Sequence, residues 1–273
     1  GASTTAAVNV AENSTAVTTV TSTDVDASAT ATYSIVGGAD AGKFAIDAST
    51  GALNFVNAPD YESPTDVGGN NVYDVTVQVS DGSLTDTQDI AVTVTNVNEA
   101  PVITSNGAGT TAAVNSAENS TAVTTVTSTD VDAGATATYS IIGGADAAKF
   151  TIDASTGALS FASAPNYESP TDSGANNVYD VQVQVSDGTL TDTQDIAVTV
   201  TNVNEAPVIS SNGASTTAAL NVAENSTAVT TVTSTDVDAA ATASYSIVGG
   251  ADAAKFTIDA STGALSFASA PNY

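Results

Sequence analysis

Apolar and polar residues alternate along several stretches of the chain, and each such stretch predicts a β-strand. The longest is residues 73–79, where Tyr and Val occupy every second position and Asp, Thr and Gln stand between them. Residues 90–94 repeat the pattern with Ile and Val. A period of two places alternate side chains on opposite faces of a strand. We therefore expect one face of each strand to lie in a core and the other to face water.

Shorter runs add further strands to the first 106 residues. Residues 15–22 are rich in Thr and Val, but Val17 and Val20 are three positions apart, which indicates a bulged or edge strand. Residues 39–43 could form a single helical turn. The other predicted strands are 31–35, ended by Gly37 and Gly38, then 44–46 and 53–55. About seven evenly spaced strands predict an all-β fold of Greek-key, immunoglobulin-like β-sandwiches.

The whole pattern recurs at a fixed interval. Glu12, Glu118 and Glu224 stand in the same AENST motif, each 106 residues after the last, and the hexapeptide NVNEAP occupies residues 96–101 and 202–207. Units of about 100 residues are large enough to close their own cores. We predict domains at 1–99, 100–205 and 206–273, arranged end to end. The third copy is expected to lack its last two strands, so we expect the segment to belong to a longer array.

The composition excludes several classes of function. The chain has 30 acidic residues against three lysines, a net charge of −27, and no Arg, His, Cys, Met or Trp. Without imidazole or thiolate, most enzyme chemistry and all soft metal sites are excluded. A strongly negative surface repels phosphate backbones and anionic headgroups. We therefore predict a protein that is not an enzyme and that contacts neither nucleic acid nor a membrane through this segment.

Short acidic motifs follow one another in a fixed order in the repeating unit. In the first copy they are AENST at 11–15, DVD at 24–26, DYE at 60–62, SDG at 80–82 and NVNEAP at 96–101. This order resembles cadherin repeats, and it is more similar to the cadherin-like domains of large repetitive bacterial surface proteins than to animal cadherins. The resemblance implies an extracellular, cell-surface protein that mediates adhesion or biofilm formation and binds Ca²⁺ where successive domains meet.

Residue by residue, the resemblance implies calcium ligands at the junctions between copies. The first junction would use Glu12, Asp60, Glu62, Asn98 and Glu99 from one side and Asp130, Asp132 and Asp187 from the other. The second junction would use Glu118, Glu168, Asn204 and Glu205 with Asp236 and Asp238. A preceding repeat would be faced by Asp24, Asp26 and Asp81.

Electrostatics supports the same interpretation. Ca²⁺ binds six to eight hard oxygen ligands, and the seven carboxylates of the first junction are ligands of this kind. If they converged within about 7 Å without cations, their repulsion would reach on the order of 10 kcal/mol, which rivals the stability of a domain. The family linker usually reads D-x-N-D-N-x-P, whereas here Asn96 and Glu99 replace the two acids and one Asn is absent. Asp60 is also replaced by Asn166 and Asn272 in the later copies, so the number of ions stays open.

Three functions compete for this pattern. The leading hypothesis is a calcium-stiffened spacer array of a bacterial surface adhesin or extracellular filament. The second is a repeated binding module for cell-surface glycans or for other copies of the chain, which needs an exposed aromatic platform such as Tyr61 or Tyr167. A glycosidase built on paired carboxylates is the weakest, because no proton donor is visibly set in an apolar pocket. An EF-hand fails because Ile35 stands where the last acid is needed, and the sequon at Asn13 offers N-glycosylation as an alternative role for that motif.

Overall fold

The computed structural model describes residues 5–25, 30–238 and 241–273. Within these residues the structure is built from β-strands and single 3-10 turns, as the alternating pattern predicts. In the first copy the strands are β1 Ala6–Ala11, β2 Ala16–Thr19, β3 Thr32–Gly37, β4 Phe44–Ile46, β5 Ala52–Phe55, β6 Val72–Ser80 and β7 Thr85–Thr95. The predicted helical turn is the 3-10 turn Ala41–Lys43.

Two sheets form in the first copy. One has the strand order β1-β7-β6-β3 and the other β2-β5-β4. β1 runs parallel to β7, from the pair Ala6 and Ile90 to the pair Ala11 and Thr95. β2 lies at an edge and its register against β5 shifts between Ala16 and Thr18, which confirms the predicted bulged edge strand.

The alternating residues of β6 and β7 supply most of the core. Tyr73, Val75 and Val77 are buried, and the apolar residues of β7 pack against them. The rings of Phe44 and Phe55 stack with their centroids 4.6 Å apart, and Phe55 meets Tyr73 edge-on at 5.2 Å. Few aromatic residues are present, but Phe44, Phe55 and Tyr73 meet in one cluster, where such pairs add stability beyond the area they bury.

The second copy repeats this plan and adds one short strand pair. Its strands are β8 Val102–Ile103, β9 Thr111–Ala117, β10 Ala122–Thr125, β11 Ser128–Thr129, β12 Thr138–Gly143, β13 Phe150–Ile152, β14 Ala158–Phe161, β15 Val178–Ser186 and β16 Thr191–Thr201. The sheets are β12-β15-β16-β9 and β10-β14-β13, and β8 pairs with β11. β9 is parallel to β16.

The third copy, in its described residues, forms β17 Val208–Ile209, β18 Ala228–Thr231, β19 Ser234–Thr235, β20 Phe256–Ile258 and β21 Ala264–Phe267. Its apolar residues are less covered than those of the other copies. Ile209 is 56% exposed, whereas the equivalent Ile103 is 2% exposed. Phe256, Leu265 and Tyr245 line an open cavity of about 670 Å³.

Contacts divide the chain into two compact units whose limits differ from those of the repeats. The first unit comprises Gly1–Thr104, Thr127–Thr138 and Val185–Asp192, and the second comprises Ser105–Val126, Tyr139–Gln184 and Thr193–Tyr273. The first unit therefore includes two acid-bearing segments of the second copy together with the first copy and its linker. No helix in the described residues is long and apolar enough to span a membrane.

Candidate metal centre

Glu12 is the fixed point of the first acid cluster. It follows directly after β1, and only 4% of its surface is exposed. Its Oε2 accepts a hydrogen bond from the Tyr61 backbone N–H at 2.8 Å, and its Oε1 accepts one from the Val97 N–H at 2.9 Å. Hydrogen bonds from backbone N–H groups stabilise a carboxylate in its charged form. One side chain thereby joins the DYE loop to the NVNEAP linker.

Two further glutamates meet Glu12. One carboxylate oxygen from each of Glu12, Glu62 and Glu99 lies within 4.8 Å of the others. Loss of water and then the charge of Glu12 raise the pKa of Glu99, and loss of water together with the charges of Glu12 and Glu99 raises the pKa of Glu62. Like charges this close oppose ionisation. A cation between the three oxygens would remove that cost.

Acids from the second copy join the same cluster. Oδ2 of Asp132 accepts the Glu99 backbone N–H at 2.8 Å, and its Oδ1 accepts the Asn96 amide at 2.7 Å. Asp130 lies beside it, since its Oδ1 accepts the Asp132 N–H at 3.0 Å. The charge of Asp132 contributes to the raised pKa of both Glu62 and Glu99. We call Glu12, Glu62, Glu99, Asp130, Asp132 and Asp187 the first site.

Asp187 is held by its own turn and by the linker. Its Oδ1 accepts the backbone N–H groups of Thr189 at 2.6 Å and Leu190 at 2.7 Å, and its Oδ2 accepts the Asn98 amide at 2.7 Å. These donors lower the pKa of Asp187 well below its ordinary value, the Leu190 N–H contributing most. Asp60 is exposed and accepts the Ser63 N–H at 2.9 Å. It lies close enough for its charge to contribute to the raised pKa of Glu99.

Two carboxylate oxygens of the first site are buried without a hydrogen-bond donor among the described residues. They are Oε2 of Glu99 and Oδ2 of Asp130. A buried acceptor that is left unpaired costs roughly 1–3 kcal/mol, and more when it is charged. Carboxylate oxygens at these positions are the ligands that Ca²⁺ or Mg²⁺ takes. The residues present therefore fit a hard divalent cation.

A second site has the same framework. Oxygens of Glu118, Glu168 and Glu205 lie within 4.8 Å of one another, and Glu118 is only 2% exposed. Glu118 accepts the Tyr167 and Val203 N–H groups, each at 2.8 Å. Burial and then the charges of Glu118, Asp238 and Glu168 raise the pKa of Glu205, although the Asn119 amide acts in the opposite direction. This second site is Glu118, Glu168, Glu205, Asp236 and Asp238.

The second site also contains buried carboxylate oxygens without a donor. Both carboxylate oxygens of Glu168 and Oε2 of Glu205 are buried without a donor in the part of the chain that the structure describes. Asp238 accepts the Glu205 N–H at 2.8 Å, and its own N–H donates to Asp236 at 3.0 Å. The Asn204 amide donates to the Glu205 carbonyl oxygen at 3.0 Å. The predicted ligands of the second junction are thus gathered around Glu118 and Glu205.

The third predicted group is only partly described. Asp24 and Asp81 line one surface depression, together with Asp86. Asp81 accepts the Ser83 and Leu84 N–H groups at 2.7 Å, and these donors, that of Leu84 first, lower its pKa. Asp26 lies outside the described residues. Asp24, Asp26 and Asp81 therefore remain a prediction as ligands.

Sequence reasoning missed two residues at the first site. Asn13 was considered only as a glycosylation sequon, yet its amide donates to Oε1 of Glu99 at 2.9 Å. Asn96 was considered only as a lost acid, yet its amide reaches Asp132. The signal for Asn13 was its place directly after Glu12 in every copy. Its left-handed backbone, with φ of 59°, turns the chain immediately after the buried glutamate.

The sandwich topology and the acid clusters at the linkers define a tandem β-sandwich protein with candidate cation sites at its linkers. The family model of the cadherin domain matches residues 6–95 and 110–203, and the chain belongs to the cadherin domain family. This confirms the resemblance to cadherin repeats, and the greater likeness to bacterial surface proteins stays a prediction. Cadherin domains are adhesion modules rather than enzymes, and they bind Ca²⁺ at the linkers between domains.

Individual relatives agree with this assignment. The chain is 35% identical to human protocadherin Fat 1 over 198 residues, covering 69% of the chain and 4% of that protein. It is 30% identical to mouse protocadherin Fat 2 over 183 residues, covering 64% of the chain and 4% of that protein. The chain thus spans a small part of the length of these relatives.

Solved structures show the same fold. The EC21-23 segment of human CDH23 superposes with a TM-score of 0.60 at 20% identity, covering 97% of this chain and 88% of that one. The EC22-24 segment of mouse cadherin-23 gives a TM-score of 0.57 at 22% identity, covering 99% and 87%. These matches confirm the predicted all-β cadherin-like architecture.

Proposed function

We propose that this chain is a calcium-stiffened spacer array of an extracellular adhesion protein, a surface adhesin or filament of bacterial type. The observation that carries the proposal is the first site. Three glutamates from separate segments bring their oxygens within 4.8 Å, and buried oxygens of Glu99 and Asp130 have no donor among the described residues. The bacterial assignment rests on the order of the motifs in the sequence.

The chain's own residues have distinct roles in this proposal. Glu12 is oriented by the Tyr61 and Val97 N–H groups, so its carboxylate is held in place before an ion arrives. Glu62 and Glu99 supply further carboxylate oxygens, and Asp130 supplies one from the second copy. Bound Ca²⁺ would supply positive charge and would bind several oxygen ligands at once. With the ion in place, linker, first copy and second copy are tied at one point, and the hinge loses its freedom.

Calorimetry of the whole chain in Ca²⁺ and in chelator tests this proposal. A ligand that binds only the folded state at 100 times its Kd adds about 2.7 kcal/mol. For domains of this size we expect Tm to rise by roughly 10–20 °C in Ca²⁺. The variant Glu99→Gln removes one charge with little change of shape and should lose part of that rise. Equal Tm values in the two buffers would contradict the proposal and would show that the acids are only a solvated surface.

Small-angle scattering tests the stiffening itself. We expect a narrow distribution of dimensions in Ca²⁺ and a broad, flexible ensemble in chelator, because unneutralised acids repel and the linker is then free to bend. High salt in chelator is the control, since screening weakens repulsion without adding a ligand. A chain of equal stiffness in both buffers would contradict the spacer mechanism even if calcium binds.

A further inference from the structure

Three asparagine amides bind acids of the first site directly. The Asn96 amide donates to Oδ1 of Asp132 at 2.7 Å, and the Asn98 amide donates to Oδ2 of Asp187 at 2.7 Å. The Asn13 amide donates to Oε1 of Glu99 at 2.9 Å. These are the short distances of hydrogen bonds to charged acceptors. Each amide stabilises a carboxylate as a cation would, but it adds no charge.

Counting donors oxygen by oxygen divides the first site into two groups. Both oxygens of Asp132 are occupied, one by the Asn96 amide and one by the Glu99 N–H. Both oxygens of Asp187 are also occupied, by the Asn98 amide and by the turn that follows it. Glu99 and Asp130, in contrast, each keep one buried oxygen that no described residue reaches. Glu12, like Asp132 and Asp187, has a donor on each oxygen, whereas no side-chain hydrogen bond to Glu62 is found among the described residues.

We propose that Asn96, Asn98 and Asn13 are positioning residues that act before any metal binds: Asn96 and Asn98 hold the linker on the acidic loops of the second copy, and Asn13 holds it on the first copy. This inference rests on the proposed function, and it limits how that site works. Asp132 and Asp187 are oriented by these donors, while Glu99 and Asp130 keep buried oxygens that no described residue reaches. The amides then keep some attachment between the linker and the second copy in chelator, but only the ion fixes the hinge.

The second site supplies an internal comparison. Its Asn119 amide donates to Glu205 at 2.6 Å, as Asn13 does to Glu99. No hydrogen bond joins Asn202 to Asp238 among the residues that the structure describes, although Asn202 is the equivalent of Asn96. The linker amide therefore reaches the acid of the next copy at the first site and not at the second. A substitution at Asn202 is a matched control for the same substitution at Asn96.

The test compares Asn96→Asp with Asn202→Asp in the full chain. Asn96→Asp replaces a donor by a carboxylate that faces Asp132, so in chelator the first unit should melt earlier by roughly 4–8 °C. Asn202→Asp should change melting in chelator by much less, because no bond to Asp238 is lost. In Ca²⁺, calorimetric titration of Asn96→Asp should show additional bound calcium, because the new acid and Asp132 can then share an ion.

Asn96→Ala separates loss of the donor from gain of charge. It should lower Tm in chelator by less than Asn96→Asp and should add no calcium. If Asn96→Asp and Asn202→Asp melt alike in chelator, the amide does not hold the linker and the inference is wrong. Absence of calcium binding in the unmodified chain would instead defeat the proposed function. The chelator comparison would still report on the amides in that case.

Discussion

The first and second sites contain three equivalent glutamates in the same geometry, yet the acids of the two sites receive different hydrogen bonds from the linker. At the first site, the Asn96 amide binds Asp132 of the following copy. At the second site no hydrogen bond joins the equivalent Asn202 to Asp238 among the described residues, and both oxygens of Glu168 and one of Glu205 are buried there without a donor. Equivalent linker amides thus reach the next copy's acid at one site and not at the other.

This difference shows how an acidic junction can be held together in two ways. An amide offers a fixed hydrogen bond that persists in any buffer, whereas a divalent ion offers more energy but only while it is present. Because the linker amide of Asn202 makes no such bond, we expect the second site to depend on Ca²⁺ more strongly. The substitutions below test whether the two sites differ in this way.

The largest expected effect comes from the residue that the sites share. Glu12→Ala and Glu118→Ala each remove an acceptor of two backbone hydrogen bonds from a buried position. Leaving two partly buried N–H groups unpaired should cost about 2 kcal/mol at either site. Calorimetric unfolding in Ca²⁺ measures the loss, with the exposed Asp86→Ala as control. Losses that differ greatly between the two variants would show that the frameworks are not equivalent.

The next effect is on calcium affinity. Asp60 is an acid at the first site, and Asn166 stands at the equivalent position of the second. A unit charge at about 4 Å changes the energy by about 1 kcal/mol in water, and the double charge of Ca²⁺ increases this. Asp60→Asn should weaken binding at the first site on the order of tenfold, and Asn166→Asp should strengthen the second similarly. Unchanged affinities in calorimetric titration would remove this position from the ligand set.

The smallest effect concerns pH in the absence of calcium. The pKa values of Glu62, Glu99 and Glu205 are raised, so the folded state binds more protons than the unfolded state just above the ordinary value of 4.5. In chelator, stability should therefore increase as pH falls from 7 toward 5, by roughly 1–3 °C in Tm.

The acids with lowered pKa values should not change the stability between pH 7 and pH 5. Asp81 and Asp187 have lowered pKa values, so the stability that they add is present above the ordinary value of 3.8 and is lost only at lower pH. In Ca²⁺ the trend should reverse, because protons compete with the ion for the same oxygens. A flat profile in chelator would mean that the acids do not repel one another.

Much of this architecture could be predicted because burial on one face leaves a period of two in the sequence. β6 and β7 follow the predicted alternation, and the bulge in β2 follows from the spacing of Val17 and Val20. β1 was missed because its inward positions include Ala6, which carries little apolar signal. Its parallel pairing with β7 joins residues more than 80 positions apart, and no local pattern records such a contact.

The sequence predicts acids at the linkers, but it does not predict which donors reach them. Acidic residues can be recognised in the sequence, and oxygens of Glu12, Glu62 and Glu99 do converge. Whether an oxygen is already occupied depends on which N–H lies within about 3 Å, and that is a property of loops from two copies. For this reason the sequence could not distinguish Asp132, which is fully hydrogen-bonded, from Asp130, which is not.

The parallel pairing of β1 with β7 has a mechanical consequence for a chain that carries load. β1 is the first described strand of its repeat and β7 the last, so tension along the chain pulls these neighbours in opposite directions. Their six described residue pairs are then loaded together in shear instead of opening one after another. Glu12 follows the last pair of β1 and accepts a hydrogen bond from the Val97 N–H, which follows β7. This bond adds one more link between the two strands. β9 and β16 share seven pairs, so under a steady pull the first repeat should yield before the second.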